Sequence, residues 1–339
     1  MTSFAFTRRQ WLARAGVLAV PTLVGAPASA ADAAAVGAPA AAPGADDARQ
    51  RPLAAKSVCL DITAAGTRLV AVGERGHVLL SDDGGQQWRQ ARRVPTRTTL
   101  TAVHATDDRH LWAVGHGAVI LRSDDAGETW AQLAGQLGGK EVLLSIRVEP
   151  DGHGLAVGGF GHALRTTDGG ATWKRVELLA GEAGEAHLNR IFTAGPKLNT
   201  WLIAAEGGRI LRSEDRSELW TAVKTPYAGS IWSGAALPGG VLLACGMRGN
   251  VLRSTDDGRS WTHQAVAGAG SLTAIVSLPD GRPVVVGVDG TVLTGTVGAE
   301  SFVFKRQDDR TTFTGAVALP NGVVVVSTPA GMRLLGAAA

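Results

Sequence analysis

Apolar and polar positions alternate along this chain in short bursts, without helical spacing. "LVAVGERG" at 69–76, "LWAVGHG" at 111–117 and "LAVGGFG" at 155–161 are brief aliphatic runs closed by glycine. Runs of this length, bounded by turn residues, predict buried strands. The text continues as "LIAAEGG" at 202–208, "LLACGMRG" at 242–249, "VVVGVDG" at 284–290 and "VVVSTPAG" at 324–331, seven copies in all.

A second marker runs beside the first. "SDDGGQQW" at 81–88 returns as "SDDAGETW" at 123–130, "TTDGGATW" at 166–173, "STDDGRSW" at 254–261 and, worn, "SEDRSELW" at 213–220. The closing tryptophans are 42, 43, 47 and 41 residues apart. In the second unit the pattern predicts strands at 100–106, 110–115, 118–123 and 129–133. Four short strands in a period of about 40–45 residues mark a propeller. The expected fold is all-β: a seven-bladed β-propeller with four-stranded blades. The last unit has strands at 313–319, 322–327 and 331–335 but no fourth. Residues 48–56 are expected to supply it as a strand and zip the ring shut.

The recurring turn has a physical reason. Asp83 can accept hydrogen bonds from its own turn's N–H groups, Gly85 can take a positive φ, and Trp88 can start the fourth strand and pack between blades. Asp125, Asp168, Asp215 and Asp256, with Trp130, Trp173, Trp220 and Trp261, repeat those structural roles. Ser217 stands where the fourth unit needs glycine and is expected to loosen its turn. "TGTVGAESF" replaces the motif in the sixth unit. Carboxylates recurring at one repeated place in five units are structural, and calcium's alternating oxygen run is absent.

The ends change the charge balance. Thr7-Arg8-Arg9-Gln10-Trp11-Leu12, an apolar run at 15–26 and Ala28-Ser29-Ala30 predict a twin-arginine-type signal over 1–30. The address is then periplasmic or lumenal. Residues 31–47, rich in alanine, proline and glycine, read as a disordered leader, leaving 48–336 for the propeller. The whole-chain charge of +3 equals the three arginines of residues 1–30, so the remainder is neutral. That composition gives no support for nucleic-acid binding. Beyond the signal no membrane span is expected, and a monomer is. Cys59 and Cys245 sit in apolar strand patterns of separate repeats and are expected as buried free thiols.

Strand alternation puts the Asp-type turns on one face. The glycine turns and the links between blades form the other. On that second face Arg75, Arg92, Arg93 and Arg97 are expected to form a basic patch that pairs with carboxylates of a partner. Arg190 and Arg248 are further candidates, and Tyr227 with Trp232 can make an aromatic anchor. Arg122, Arg165, Arg212 and Arg253, each just before a turn motif, are expected to bridge blades. His77, His116 and His162 follow the repeat and not a chelating motif, so no metal or other cofactor is expected.

The turn motif resembles the Asp-box, or BNR repeat, of sialidases and related propellers. "GGFGHALRTTDGGATW" (158–173) and "GHGAVILRSDDAGETW" (115–130) more specifically resemble the Ycf48/Hcf136 family of photosystem II stability and assembly factors. That resemblance implies a non-enzymatic lumenal or periplasmic propeller that holds a membrane-protein client, partly through an arginine-rich surface. The alternative it leaves is an Asp-box glycoside hydrolase of sialidase type. That chemistry needs a tyrosine nucleophile with a glutamate partner, and Tyr227 is the only tyrosine, with Glu206 on the same face.

Overall fold

The computed structural model describes residues 44–133, 140–181, 184–195 and 199–336. The signal segment 1–30 and the leader to residue 43 lie outside the described residues. Among those described there is no α-helix, and no helix is long and apolar enough to cross a membrane.

Each glycine-closed apolar run forms the second strand of an antiparallel unit, buried along nearly its whole length. Seven such units form a seven-bladed β-propeller; the blades span 59–90, 100–132, 143–175, 188–224, 231–265, 272–306 and 315–335. Six blades have four strands in sequence order, and the seventh has three. The glycine ending each run is there for space. A Cβ on Gly73 would lie 1.9 Å from the Val58 carbonyl oxygen, and one on Gly115 2.1 Å from that of Thr99.

Period-two alternation makes the core. Val70 and Val72 face blade two, while Leu69 and Ala71 turn to blade seven. The buried side chains accordingly form seven clusters, one at each junction between blades. Each fully buried leucine or valine contributes about 1.5–3 kcal/mol relative to exposure. Cys59 and Cys245 are buried free thiols in these clusters, and burial pushes the Cys59 thiol up to about 12.

Closure differs from the expectation. Residues 48–56 form no strand, and among the described residues nothing fills the fourth place in blade seven. The segment clasps blade one instead: Ala48 N–H donates to Val94 O (2.8 Å) and Gln50 Nε2 to Ala91 O (2.7 Å). It ends in a 3₁₀ turn, Ala54–Lys56. That turn crosses the chain so close to Gly331 that a Cβ there would lie 2.1 Å from Ala55 O. The ring closes through side chains, with Cys59, Leu79 and Trp88 of blade one on Val325 and Met332 of blade seven. Thr314 Oγ1 adds a bond to Cys59 O at 2.7 Å. Residues 44–47, expected in the leader, go with the propeller, because Asp47 is buried and holds Arg93 at 3.0 Å.

Candidate partner-binding site

The turn motifs lie together on one face. Asp83 Oδ1 accepts N–H bonds from Gln86 and Gln87, both at 3.0 Å, and the Ser81 hydroxyl at 2.8 Å. Asp125 and Asp168 accept both the amide and the hydroxyl of Thr129 and Thr172, and Asp256 those of Ser260. The Thr172 hydroxyl and amide bonds hold the Asp168 carboxyl at about 2. Asp215 accepts from Glu218 and Leu219 in the same way. Ser217 does not loosen that turn: it takes φ 75° and keeps its bond to Ser213 Oγ. Its own buried hydroxyl is left unpartnered. Trp88, Trp130, Trp173, Trp220 and Trp261 each pack against the preceding blade around the ring.

Most arginines on this face meet a carboxylate. Arg122 pairs with Asp124 (2.7 Å) and Arg165 with Glu218 (2.6 Å), each also reaching a carbonyl of the next blade's turn. Arg212 bonds Glu214 and Asp257 O, and Arg253 bonds Gly298 O. In blade one Arg68 and Arg89 share Asp82 and Glu128.

The opposite face is different. Arg49, Arg51, Arg75 and Arg97 surround His77 in an open cleft of about 290 Å³. Arg75 is held at the tip of its turn by a left-handed φ of 57°, with only Glu74 near it, at 3.9 Å. Arg97 donates Nε to Asp47 O, and no carboxylate is within salt-bridge reach of Arg49, Arg51 or Arg97 among the described residues. His77 is 3% exposed and its Nδ1 has no hydrogen-bond partner. Burial holds it below the ordinary histidine value, opposed by Glu74 and reinforced by Arg75 and Arg51. Four guanidiniums around a neutral imidazole suit a carboxylate, which each fork can take in bidentate fashion.

The structure divides the four arginines expected to form one patch. Arg75 and Arg97 are in the cleft; Arg92 and Arg93 are not. Past the outer strand Arg89–Gln90 the chain runs beside the turn of blade two, where the amides of Arg92 and Arg93 bond Glu128 O. Arg92 lies 3.6 Å from Glu128 and 3.7 Å from Asp125, and Arg93 goes to Asp47. Arg49 and Arg51 were missed because the segment holding them was expected at the rim of blade seven. Their polarity in an alanine-rich stretch was the available signal.

The remaining candidates do not gather. Arg190 points into the central channel and crosses it to Asp61 of blade one at 2.8 Å. Arg248 is exposed on the glycine turn of blade five, three blades round the ring from Arg75. Tyr227 stacks on His263 and donates to Met247 O, whereas Trp232 lies on the innermost strand, so no joint anchor forms. Glu206 accepts from His187 N, so the structure does not pair it with Tyr227. His77 and His162 are buried and His116 is exposed; no three His, Cys, Asp or Glu groups are placed to hold a metal among the described residues.

Comparison with known proteins places this geometry. The family model described as "Photosynthesis system II assembly factor YCF48" matches residues 89–250. A solved structure described as "YCF48 bound to D1 peptide" superposes with a TM-score of 0.66 at 17% identity, over 84% of this chain and 94% of that one. Ycf48 from Cyanidioschyzon merolae gives 0.60 at 18%, over 86% and 98%. Virginiamycin B lyase from Staphylococcus aureus gives 0.69 at 12%, over 84% and 96%, which speaks for the propeller alone. No curated protein matches the chain.

Proposed function

The chain is Ycf48/Hcf136-like, and from that premise we propose that it is a non-enzymatic, exported assembly factor that holds a membrane-protein client. The observation carrying this is the arginine cleft. A propeller otherwise rich in internally paired charges keeps four guanidiniums without a close carboxylate partner. Its counterpart is a carboxylate of the client, either an acidic side chain or a chain terminus. A relative solved with a D1 peptide supports a polypeptide client of membrane origin. The arginine pair and apolar run at the N-terminus support export to a periplasm or lumen.

The cleft is a pre-set charge surface. Its arginines stand on a rigid turn and on a clasp bonded to blade one, so little ordering is needed on binding. Opposite charge speeds encounter, and desolvated pairs slow release. The test is affinity capture from solubilised membranes with wild type and with Arg49, Arg51, Arg75 and Arg97 all changed to Ala. Wild type should retain a membrane protein in a salt-sensitive manner, and the variant should lose it. Equal retention at equal salt would remove the cleft from the binding face.

A further inference from the structure

Blade seven ends one strand short. Gly331–Leu335 pairs with Val324–Thr328 on its inner side, in continuous register. Among the described residues its outer side bonds to no other strand. In blade six the equivalent side of Thr291–Gly295 is covered by Phe302–Arg306 over five residues. Natural sheets blunt an exposed edge with proline, a bulge or unpaired charge. The Ala54–Lys56 turn covers this edge only at its Gly331 end, and the rest has none of these: its one charge, Arg333, is taken by Asp309, and Leu334 is exposed.

Beside the edge lies a groove of about 420 Å³, where a fourth strand would put its side chains. Val284, Val292, Val324 and Leu335 form its apolar floor, with Val303 and Lys305 on the wall given by blade six. Val303 is 73% exposed, and the Lys305 ammonium has no ion-pair or hydrogen-bond partner among the described residues. Among the described residues no carboxylate lines the groove; its other charged residue, Arg282, is paired with Asp280.

We propose that the open edge Gly331–Leu335, with the groove it shares with Val303 and Lys305, takes an extended segment of a partner polypeptide as the fourth strand of blade seven. Backbone groups of the edge supply the ladder, the apolar floor selects alternate apolar side chains, and Lys305 selects a carboxylate among them. A second copy of this chain fits less well. Two such edges paired about a twofold axis at the strand's centre would put Arg333 against Arg333, and like charges directly opposite are destabilising. The site is separate from the arginine cleft.

The test uses the full chain and a short fluorescein-labelled peptide alternating valine with threonine and glutamate, beside a matched peptide with lysine for glutamate. The glutamate peptide should bind saturably and slow amide exchange at Met332 and Leu334, whose N–H groups face the open side of the strand. Lys305→Glu should weaken it by at least about tenfold and turn the preference to the lysine peptide. Val303→Lys should weaken it likewise. Both positions are exposed, so unchanged melting confirms that either variant folds. The variant lacking the four cleft arginines should bind as wild type does, which separates this site from the cleft. Absence of saturable binding would overturn the proposal, as would binding indifferent to both substitutions. Amides of Met332 and Leu334 already protected in the free protein would also overturn it, by showing that the chain itself or a second copy fills the edge.

Discussion

The two faces of this propeller use the same residue in opposite ways. On the turn-motif face Arg68, Arg122, Arg165 and Arg212 each meet a carboxylate at 3.0 Å or less. All four also tie one blade to the turn of the next. Across the ring Arg49, Arg51, Arg75 and Arg97 crowd one cleft, and the closest carboxylate contact is Arg75 to Glu74 at 3.9 Å. A paired arginine at a repeated position is scaffold. A group of four with no carboxylate closer than 3.9 Å among the described residues, kept together at a cost in mutual repulsion, is available to something outside the chain.

That contrast can be broken by substitution, beginning where the scaffold is heaviest. Trp130 is 4% exposed and seals blades one and two with its indole N–H on Gly127 O. Trp130→Ala should cost about 3–5 kcal/mol in chemical denaturation, while any molecules still folded keep their affinity for an acidic client. Next comes the arginine pair that sharpens the point. Arg212→Ala removes bonds to Asp257 O and Glu214 and should cost about 1–3 kcal/mol. Arg75→Ala should stay within about 0.5 kcal/mol of wild type. Equal costs would mean that the faces do not differ.

Acid separates the faces further. Thr172 holds Asp168 at about 2, and Ser260 and Ser254, against the upward push of burial, hold Asp256 there too. These folded values lie below those of the unfolded chain. Their stabilisation is therefore full above about pH 4 and is lost as pH falls toward 2. Thermal melts across that window should show it, and Asp168→Asn should flatten the profile. The smallest effect belongs to His77. It is neutral at pH 7, and a bound carboxylate would favour its charged form. Client affinity should rise modestly as pH drops from 7 toward 5.5, and His77→Gln should abolish the rise.

How much of this was legible in the sequence follows from what repeats. Blade number, turn chemistry and junction packing were legible because seven copies of one pattern average out local accidents. The inter-blade role of Arg122 and its counterparts was legible for the same reason. The cleft was not, because it is made by residues that occur once. Arg49 and Arg51 reach it only because Asp47, Ala48 and Gln50 bond along blade one. No periodicity encodes that course. Arg92 and Arg93 misled by proximity in sequence to Arg97, since a few residues of link carry the chain from one face toward the other. The unfilled edge of blade seven shows the same limit. The absent strand was visible in the text, but what lies beside it was set by the Ala54–Lys56 turn.

One measurement addresses the central claim directly. Two quadruple alanine variants are compared, one at Arg49, Arg51, Arg75 and Arg97, the other at Arg122, Arg165, Arg212 and Arg253, for melting temperature and for client capture at fixed salt. The cleft variant should melt with wild type and lose the client, while the turn-face variant should melt lower and, below its transition, hold the client as wild type does. Loss of capture in the turn-face variant alone, with melting unchanged in both, would contradict the account by putting the binding face on the other side of the ring.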